Sequence, residues 1–209
     1  FPVTVLFNAV EGGAGDEGMT FAEAKELAVI LEGAGADALH VRSHWFGHHL
    51  GSYNQENLFY PEPFIPLESF PKGPDWSSHG KGVNVPGAKE VKQVVSIPII
   101  TVSGIDPVLG EQILQKGKAD FIGMCRPLFA DPELPNKLAA GKFHDIAPCT
   151  RCSTCQKMNG LPKECRVNAA LGTTDYEIKK AAIKKKVLVI GGGPAGMEAA
   201  RVAALRGHK

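Results

Sequence analysis

Gly35-Ala36-Asp37-Ala38-Leu39-His40-Val41 and, later, Gly117-Lys118-Ala119-Asp120-Phe121-Ile122-Gly123-Met124 follow one pattern. Each comes after a helical stretch, ends it on glycine, passes through Ala-Asp and opens a short apolar run of strand length. Between and before them the same alternation recurs. Pro2 to Asn8 reads as a strand. A helix follows at 20–32, with Thr20 as cap, Glu23 completing a capping box, and Ala24, Leu27, Ala28 and Leu31 as its apolar stripe. A helix near 86–95 leads into a strand from Ile97 to Val102, and Asp106 caps another helix with Pro107 at its first position. Alternating strands and helices are the signature of an α/β fold with a parallel sheet. Four such cycles over residues 1–145 amount to half of an eight-stranded barrel. A half barrel leaves two strand edges and much of its core exposed, so this portion is not expected to be stable alone.

The stretch from 42 to about 85 follows a strand and is rich in Pro, Gly, His and aromatic residues, among them Trp45, Phe46, Tyr53, Tyr60 and Trp76. In a barrel it would lie at the carboxyl ends of the strands, where loops build the active site. Its aromatic content argues against disorder. His44, His48 and Tyr53 on this stretch are weak candidates for acid–base work, set against the commoner solvent-facing loop residue. His40, inside a strand, reads as a satisfied core histidine.

Cys149-Thr-Arg-Cys152-Ser-Thr-Cys155 is followed after nine residues by Cys165. Thiolates at two-residue spacing can share one metal centre because a short turn points successive side chains inward. Both a four-thiolate [4Fe–4S] cluster and a structural zinc suit these ligands; zinc more often takes two separated pairs, so the crowding of three cysteines favours iron–sulfur. Downstream, the apolar stretch Val187-Leu188-Val189-Ile190 reads as a strand and runs into Gly191-Gly192-Gly193-Pro194-Ala195-Gly196 and a helix from about 195 to 206. There Gly191 suits a tight turn, Gly193 a close approach of backbone to a pyrophosphate, and Gly196 close helix packing. FAD and NAD(P) cannot be separated by this motif, because the residue that would read the ribose is not in the sequence. A third site is quieter. Ser103-Gly104 and Gly123-Met124-Cys125-Arg126 follow strands, and their backbone N–H groups with the Arg126 fork suit a phosphate. The alternative pairs Arg126 with Asp131 at the surface.

The bulk numbers are those of an ordinary folded protein: 209 residues, 44% hydrophobic, 22% charged. A net charge of +1 gives no electrostatic reason to expect nucleic acid or an anionic membrane as partner, and no apolar run approaches the ~20 residues needed to span a bilayer. The lysines at 179–180 and 184–186 read as a solvated linker. Clustered rather than dispersed cysteines suit a reducing, cytoplasmic compartment. The chain starts with Phe1 inside a strand pattern and stops where a second dinucleotide-fold strand would begin, so it reads as an internal fragment, inactive by itself.

Together these residues resemble the old yellow enzyme superfamily, and within it the long iron–sulfur branch that includes 2,4-dienoyl-CoA, enoate and aryl-CoA reductases and trimethylamine dehydrogenase. The resemblance is strongest over Gly117 to Pro132, the cysteine run, and Val187 to Lys209. It implies the C-terminal half of a (βα)8 TIM barrel binding FMN over 1–145, an iron–sulfur segment and linker over 146–180, and the start of a Rossmann-like FAD- or NAD(P)-binding domain over 181–209. By the same likeness Ser103, Gly104, Gly123, Cys125 and Arg126 fall at the FMN phosphate site. Cys149, Cys152, Cys155 and Cys165 become [4Fe–4S] ligands, and Gly191, Gly193 and Gly196 hold the second dinucleotide. Leu6 stands where the family usually has Arg or Lys facing the flavin, and Cys125 where it usually has Gly; the gap before Cys165 is also shorter than usual. The activity implied is reduction of an activated C=C bond in an enoate or acyl- or aryl-CoA with electrons from NAD(P)H, in a chain compatible with a homo-oligomer. Amine dehydrogenation on the same cofactors, and a non-catalytic zinc-stabilised nucleotide-binding module, are the alternatives.

Overall fold

In the computed structural model Thr20 and Glu23 close the capping box that their spacing predicts: Glu23 N–H donates to Thr20 Oγ1 at 3.4 Å and Thr20 N–H to Glu23 Oε2 at 2.8 Å. The helix they start, α1 (Phe21–Gly33), lies between strands β1 (Thr4–Gly12) and β2 (Ala38–Trp45). There follow α2 (Val85–Lys92), β3 (Ile99–Thr101), α3 (Pro107–Gln115) and β4 (Phe121–Ile122). Asp106 caps α3 by accepting from Leu109 N–H at 2.9 Å, with Pro107 at the first position. The structure describes residues 1–12, 17–45, 81–156, 164–172 and 177–209. The chain divides into two units, Phe1–Cys125 and Arg126–Lys209.

In the first unit all neighbouring strands pair in parallel, in the order β1-β2-β3-β4. Leu39 and Val41 of β2 and Ile99 of β3 are fully buried, packed with Ala24 and Ala28 of α1 and Ala88 and Val91 of α2. Each such aliphatic side chain contributes roughly 1.5–3 kcal/mol by burial. Side chains alternate across a strand, so the register Leu6–His40–Ile100–Phe121 marks the opposite face. That face is open: Leu6 is 52% and Phe121 57% exposed. β1 runs further than the expected Pro2–Asn8, continuing to Gly12 past a bulge between Asn8 and Val10.

The repeated Ala-Asp has a structural meaning. Asp37, just before β2, accepts from Val3 N–H at 2.6 Å, and Asp120, just before β4, accepts from Ile99 N–H at 2.9 Å. Each carboxylate satisfies an amide at the start of the neighbouring strand. Asp120 also pairs with Lys92. Burial pushes the Asp120 carboxyl up, but the Lys92 ammonium and the Ile99 N–H outweigh it and hold it below its ordinary value. A depressed folded-state pKa contributes stability that is present above the unfolded pKa and lost as pH falls through the folded one. Asp120→Asn is therefore expected to lower stability by about 1 kcal/mol at pH 7. In urea titrations the gap from wild type should close on acidification below the ordinary aspartate range.

The second unit opens with α4 (Arg126–Ala130) and α5 (Leu134–Ala139), passes short 3₁₀ turns at Phe143–Asp145 and Thr154–Gln156, and ends in α6 (Pro194–Leu205). Val187 to Ile190, read as a strand from sequence, carries no strand in the structure. Its pairing is confined to one point, where Val187 N–H donates to Lys209 O at 2.7 Å and Lys209 N–H to Lys185 O at 2.9 Å. Two bonds of this kind do not make a strand ladder. Among the described residues no helix is long and apolar enough to cross a membrane.

Candidate functional site

The carboxyl ends of β3 and β4 are tied together and strained. Gly123 N–H donates to Thr101 O at 2.8 Å, and a Cβ on Gly123 would lie 2.5 Å from Val102 Cγ1, so glycine is what lets these strand ends approach. Ser103 holds φ +93° and Gly104 φ +61°. A non-glycine residue there carries strain of order 1–3 kcal/mol, a cost that clusters at functional sites. The turn is fixed from behind by a buried polar chain that sequence reading missed. Ser43 Oγ donates to Asn84 Oδ1 at 2.6 Å, Asn84 Nδ2 to Val102 O at 3.3 Å, and Gly82 N–H to Ser103 O at 2.8 Å. Isolated Ser and Asn codes carry no periodicity that would have announced it. Two residues beyond Gly123, Cys125 is exposed and outside any disulfide.

On the open face β2 presents His40, Arg42 and His44, in register with Leu6, Asn8 and Glu11 of β1. Asn8 Nδ2 donates to Glu11 Oε1 at 2.7 Å. His40 is not the satisfied core histidine expected, since its Nε2 is buried with no hydrogen-bond partner. Burial, and secondarily the Arg42 charge, push its pKa down, so the ring is neutral at pH 7. His44 is half-buried on β2. His48 and Tyr53 lie outside the described residues.

In the second unit the cysteine run adopts an unusual backbone. Arg151 and Ser153 have φ +56° and +59°, alternating with ordinary residues between the cysteines. Such alternation makes a nest, a concavity of N–H groups that suits anions and iron–sulfur sites. Three sulfurs already accept hydrogen bonds: Cys149 Sγ from Arg151 N–H at 3.4 Å, Cys152 Sγ from Thr154 Oγ1 at 3.3 Å and Cys165 Sγ from Val167 N–H at 3.4 Å. The Thr154 hydroxyl and N–H lower the Cys152 pKa to about 7. Burial pushes Cys155 up; the Arg126 guanidinium opposes this, and the neighbouring Cys149 and Cys165 add to the rise. All four cysteines are outside disulfides, and among the described residues no group of three His, Cys, Asp or Glu side chains is closed up as a metal site. The four thiols are soft donors and three already accept hydrogen bonds, which suits a thiolate-ligated centre. With no metal bound, alkylation of Cys152 by iodoacetamide is expected to rise with a midpoint near pH 7, where its thiolate forms. Cys155 should react only at higher pH, and peptide mass spectrometry across a pH series distinguishes the two.

Arg126 opens α4, and its sequence-expected partner Asp131 is otherwise engaged. The Asp131 carboxylate accepts from Lys137 Nζ at 2.7 Å and from Ala147 N–H at 2.9 Å. The i, i+5 spacing suggested the arginine; the turn between α4 and α5 delivers Lys137 instead.

At the third motif Gly191 has φ +110°, and a Cβ on Gly196 would meet Gly191 O at 2.0 Å. Gly193 is the N-cap of α6 and has nothing within 4 Å of where a side chain would be. The turn is thus tight on one side and open at the helix N-terminus, whose dipole and N–H groups favour a phosphate.

Residues 72–145 match the NADH:flavin oxidoreductase / NADH oxidase family. The whole chain aligns at 39% identity with the NADH oxidase of Thermoanaerobacter brockii, covering 30% of it. All of it superposes on 2-naphthoyl-CoA reductase in complex with 2-naphthoyl-CoA at 31% identity and TM-score 0.73, covering 29% of that chain. Histamine dehydrogenase from Rhizobium sp. 4-9 superposes on 99% of this chain at 25% identity and TM-score 0.72, with 28% of its own length covered. The chain thus spans about a third of the proteins it matches. The chain belongs to the old yellow enzyme superfamily of NADH:flavin oxidoreductases.

Proposed function

We propose that the chain is the central portion of a flavin- and iron–sulfur-dependent oxidoreductase that reduces an activated C=C bond with electrons from NAD(P)H. In this reading residues 1–145 are the C-terminal half of an FMN-binding (βα)8 barrel, 146–180 the [4Fe–4S] segment and linker, and 181–209 the start of an FAD- or NAD(P)-binding domain. The observation that carries it is the nest at Arg151 and Ser153, set between cysteines that already accept hydrogen bonds, in a chain of a flavin family. FMN would supply hydride transfer, and the cluster one-electron storage between it and the second dinucleotide.

The chain's own residues have definite tasks. Backbone N–H groups at Ser103, Gly104 and Cys125 would hold the FMN phosphate, with Gly123, whose own N–H is taken by Thr101 O, admitting the close approach of the strand ends and Arg126 in the family's phosphate-binding position. Cys149, Cys152, Cys155 and Cys165 would ligate the cluster while the nest N–H groups offset its negative charge. Gly191, Gly193 and Gly196 admit the second pyrophosphate. On the open face neutral His40 can orient a planar ligand by hydrogen bonding but cannot balance charge; Arg42 can. Substrate protonation falls to His44, His48 or Tyr53. The substrate class is an enoate or an acyl- or aryl-CoA, and a cytoplasmic location fits the reduced thiols.

Likeness to histamine dehydrogenase favours a second reading, oxidation of an amine with electrons passing outward. Iron, acid-labile sulfide, zinc and flavin per chain are measured on full-length protein purified without oxygen. About four iron and four sulfide with FMN supports the proposal; one zinc and no sulfide supports a structural module instead. Flavin bleaching by NADH, reversed by a cinnamate or aryl-CoA, separates the reductase from a dehydrogenase bleached by methylamines.

A further inference from the structure

We infer that α4 is the dock on which the cysteine segment is assembled, and that Asp131 and Asn168 are the positioning residues that fasten the segment's two ends to it. This rests on the reading of the four cysteines as cluster ligands. Asp131 follows directly after α4 and is only 4% exposed. Its Oδ2 accepts from Ala147 N–H at 2.9 Å and from Lys137 Nζ at 2.7 Å, and its Oδ1 accepts from Glu133 N–H at 3.1 Å. Lys137 Nζ reaches on to Asp145 O at 2.8 Å, gripping the same approach to Cys149 a second time. At the other end Asn168 Nδ2 donates to Phe129 O at 2.9 Å, while its Oδ1 accepts from Ala170 N–H at 3.1 Å.

The tethered points lie two residues before Cys149 and three after Cys165, and both converge on Phe129–Asp131. Everything that ligates lies between them. A buried carboxylate with a lysine partner gives little net stability over an apolar pair of the same shape. Its worth here is register: it fixes where the loop starts, as Asn168 fixes where it ends. With both ends held, less chain entropy is lost when the thiolates between them close on a cluster. Removing an outer-shell partner of this kind typically lowers metal retention 10- to 100-fold.

The test uses full-length protein, prepared without oxygen, with Asp131→Asn and Asn168→Asp. The second change is nearly isosteric; it replaces the Nδ2 donor with a carboxylate oxygen, so the bond to Phe129 O is lost and a negative charge is added. Iron and sulfide per chain, the rate of cluster bleaching on exposure to EDTA and air, the electron paramagnetic resonance spectrum of the reduced cluster and the urea midpoint are compared. The expected result is bleaching roughly 10–100-fold faster and a changed spectrum in both variants, exceeding what any fall in the urea midpoint accounts for; the midpoint of Asp131→Asn should fall, because a buried ion pair loses one partner. Wild-type bleaching and spectrum in both variants would overturn the dock while leaving the cluster reading intact. So would cluster loss that merely tracks a fallen urea midpoint. Wild-type protein without iron or sulfide would overturn the cluster reading, and the dock with it.

Discussion

If the four cysteines hold the proposed cluster, Cys155→Ser in the full-length protein is expected to abolish it, lowering iron and labile sulfide from about four each to near zero per chain. Cys155 is the most buried of the four cysteines, and Cys149, Cys165 and Arg126 all lie within electrostatic reach of its sulfur. Serine is nearly isosteric, so the fold should survive while the soft ligand is lost. On the same proposal, NADH-driven reduction of a C=C substrate should then fall by at least about a hundredfold, since the cluster is the proposed route between the two dinucleotides. Flavin reduction by dithionite should be unaffected. If the iron content of Cys155→Ser equals that of wild type, the cysteine is not a ligand and the assignment of this run is wrong.

The second large effect is at the glycine turn, where two substitutions of equal size should behave differently. In Gly196→Ala the new methyl meets the Gly191 carbonyl at 2.0 Å, a backbone group with little freedom to move. The helix start must shift, and dinucleotide affinity should drop about 10- to 100-fold, as overpacking costs about 1–3 kcal/mol. In Gly193→Ala the methyl meets nothing within 4 Å. Any loss there reports the ligand's own presence over Gly193. The dependence of the flavin reduction rate on NADH concentration checks both. Unchanged affinity in Gly193→Ala with a loss in Gly196→Ala would move the pyrophosphate away from the helix N-terminus.

Features written in local spacing were the ones legible from sequence. Thr20 with Glu23, Asp106 with Pro107, and the glycine that ends each helix act within one turn of chain, and the structure has them as read. The α/β alternation and parallel pairing followed from the same local patterns. Strand limits did not, because a strand exists only where a neighbour pairs with it; β1 outran its expected end at a bulge, and among the described residues Val187–Ile190 pairs through a single bond, to Lys209 O. Long-range polar partners were invisible for the same reason. Nothing in the sequence says that Lys137 rather than Arg126 reaches Asp131, or that Asn168 bridges to Phe129. The cysteine and glycine motifs could be named from spacing, yet the positive φ angles at Arg151 and Ser153 that shape the first of them could not.

The two aspartates ahead of β2 and β4 divide the labour of the sheet. They bolt its amino-terminal rim, satisfying the entering strands' amides at Val3 and Ile99 with side chains that take no part in chemistry. At the opposite rim the bonds are fewer and shaped by the turn itself, which takes up strain at Ser103 without loosening the strands beneath. A scaffold fastened at one end leaves the loops at the other end as the place where side chains can be exchanged.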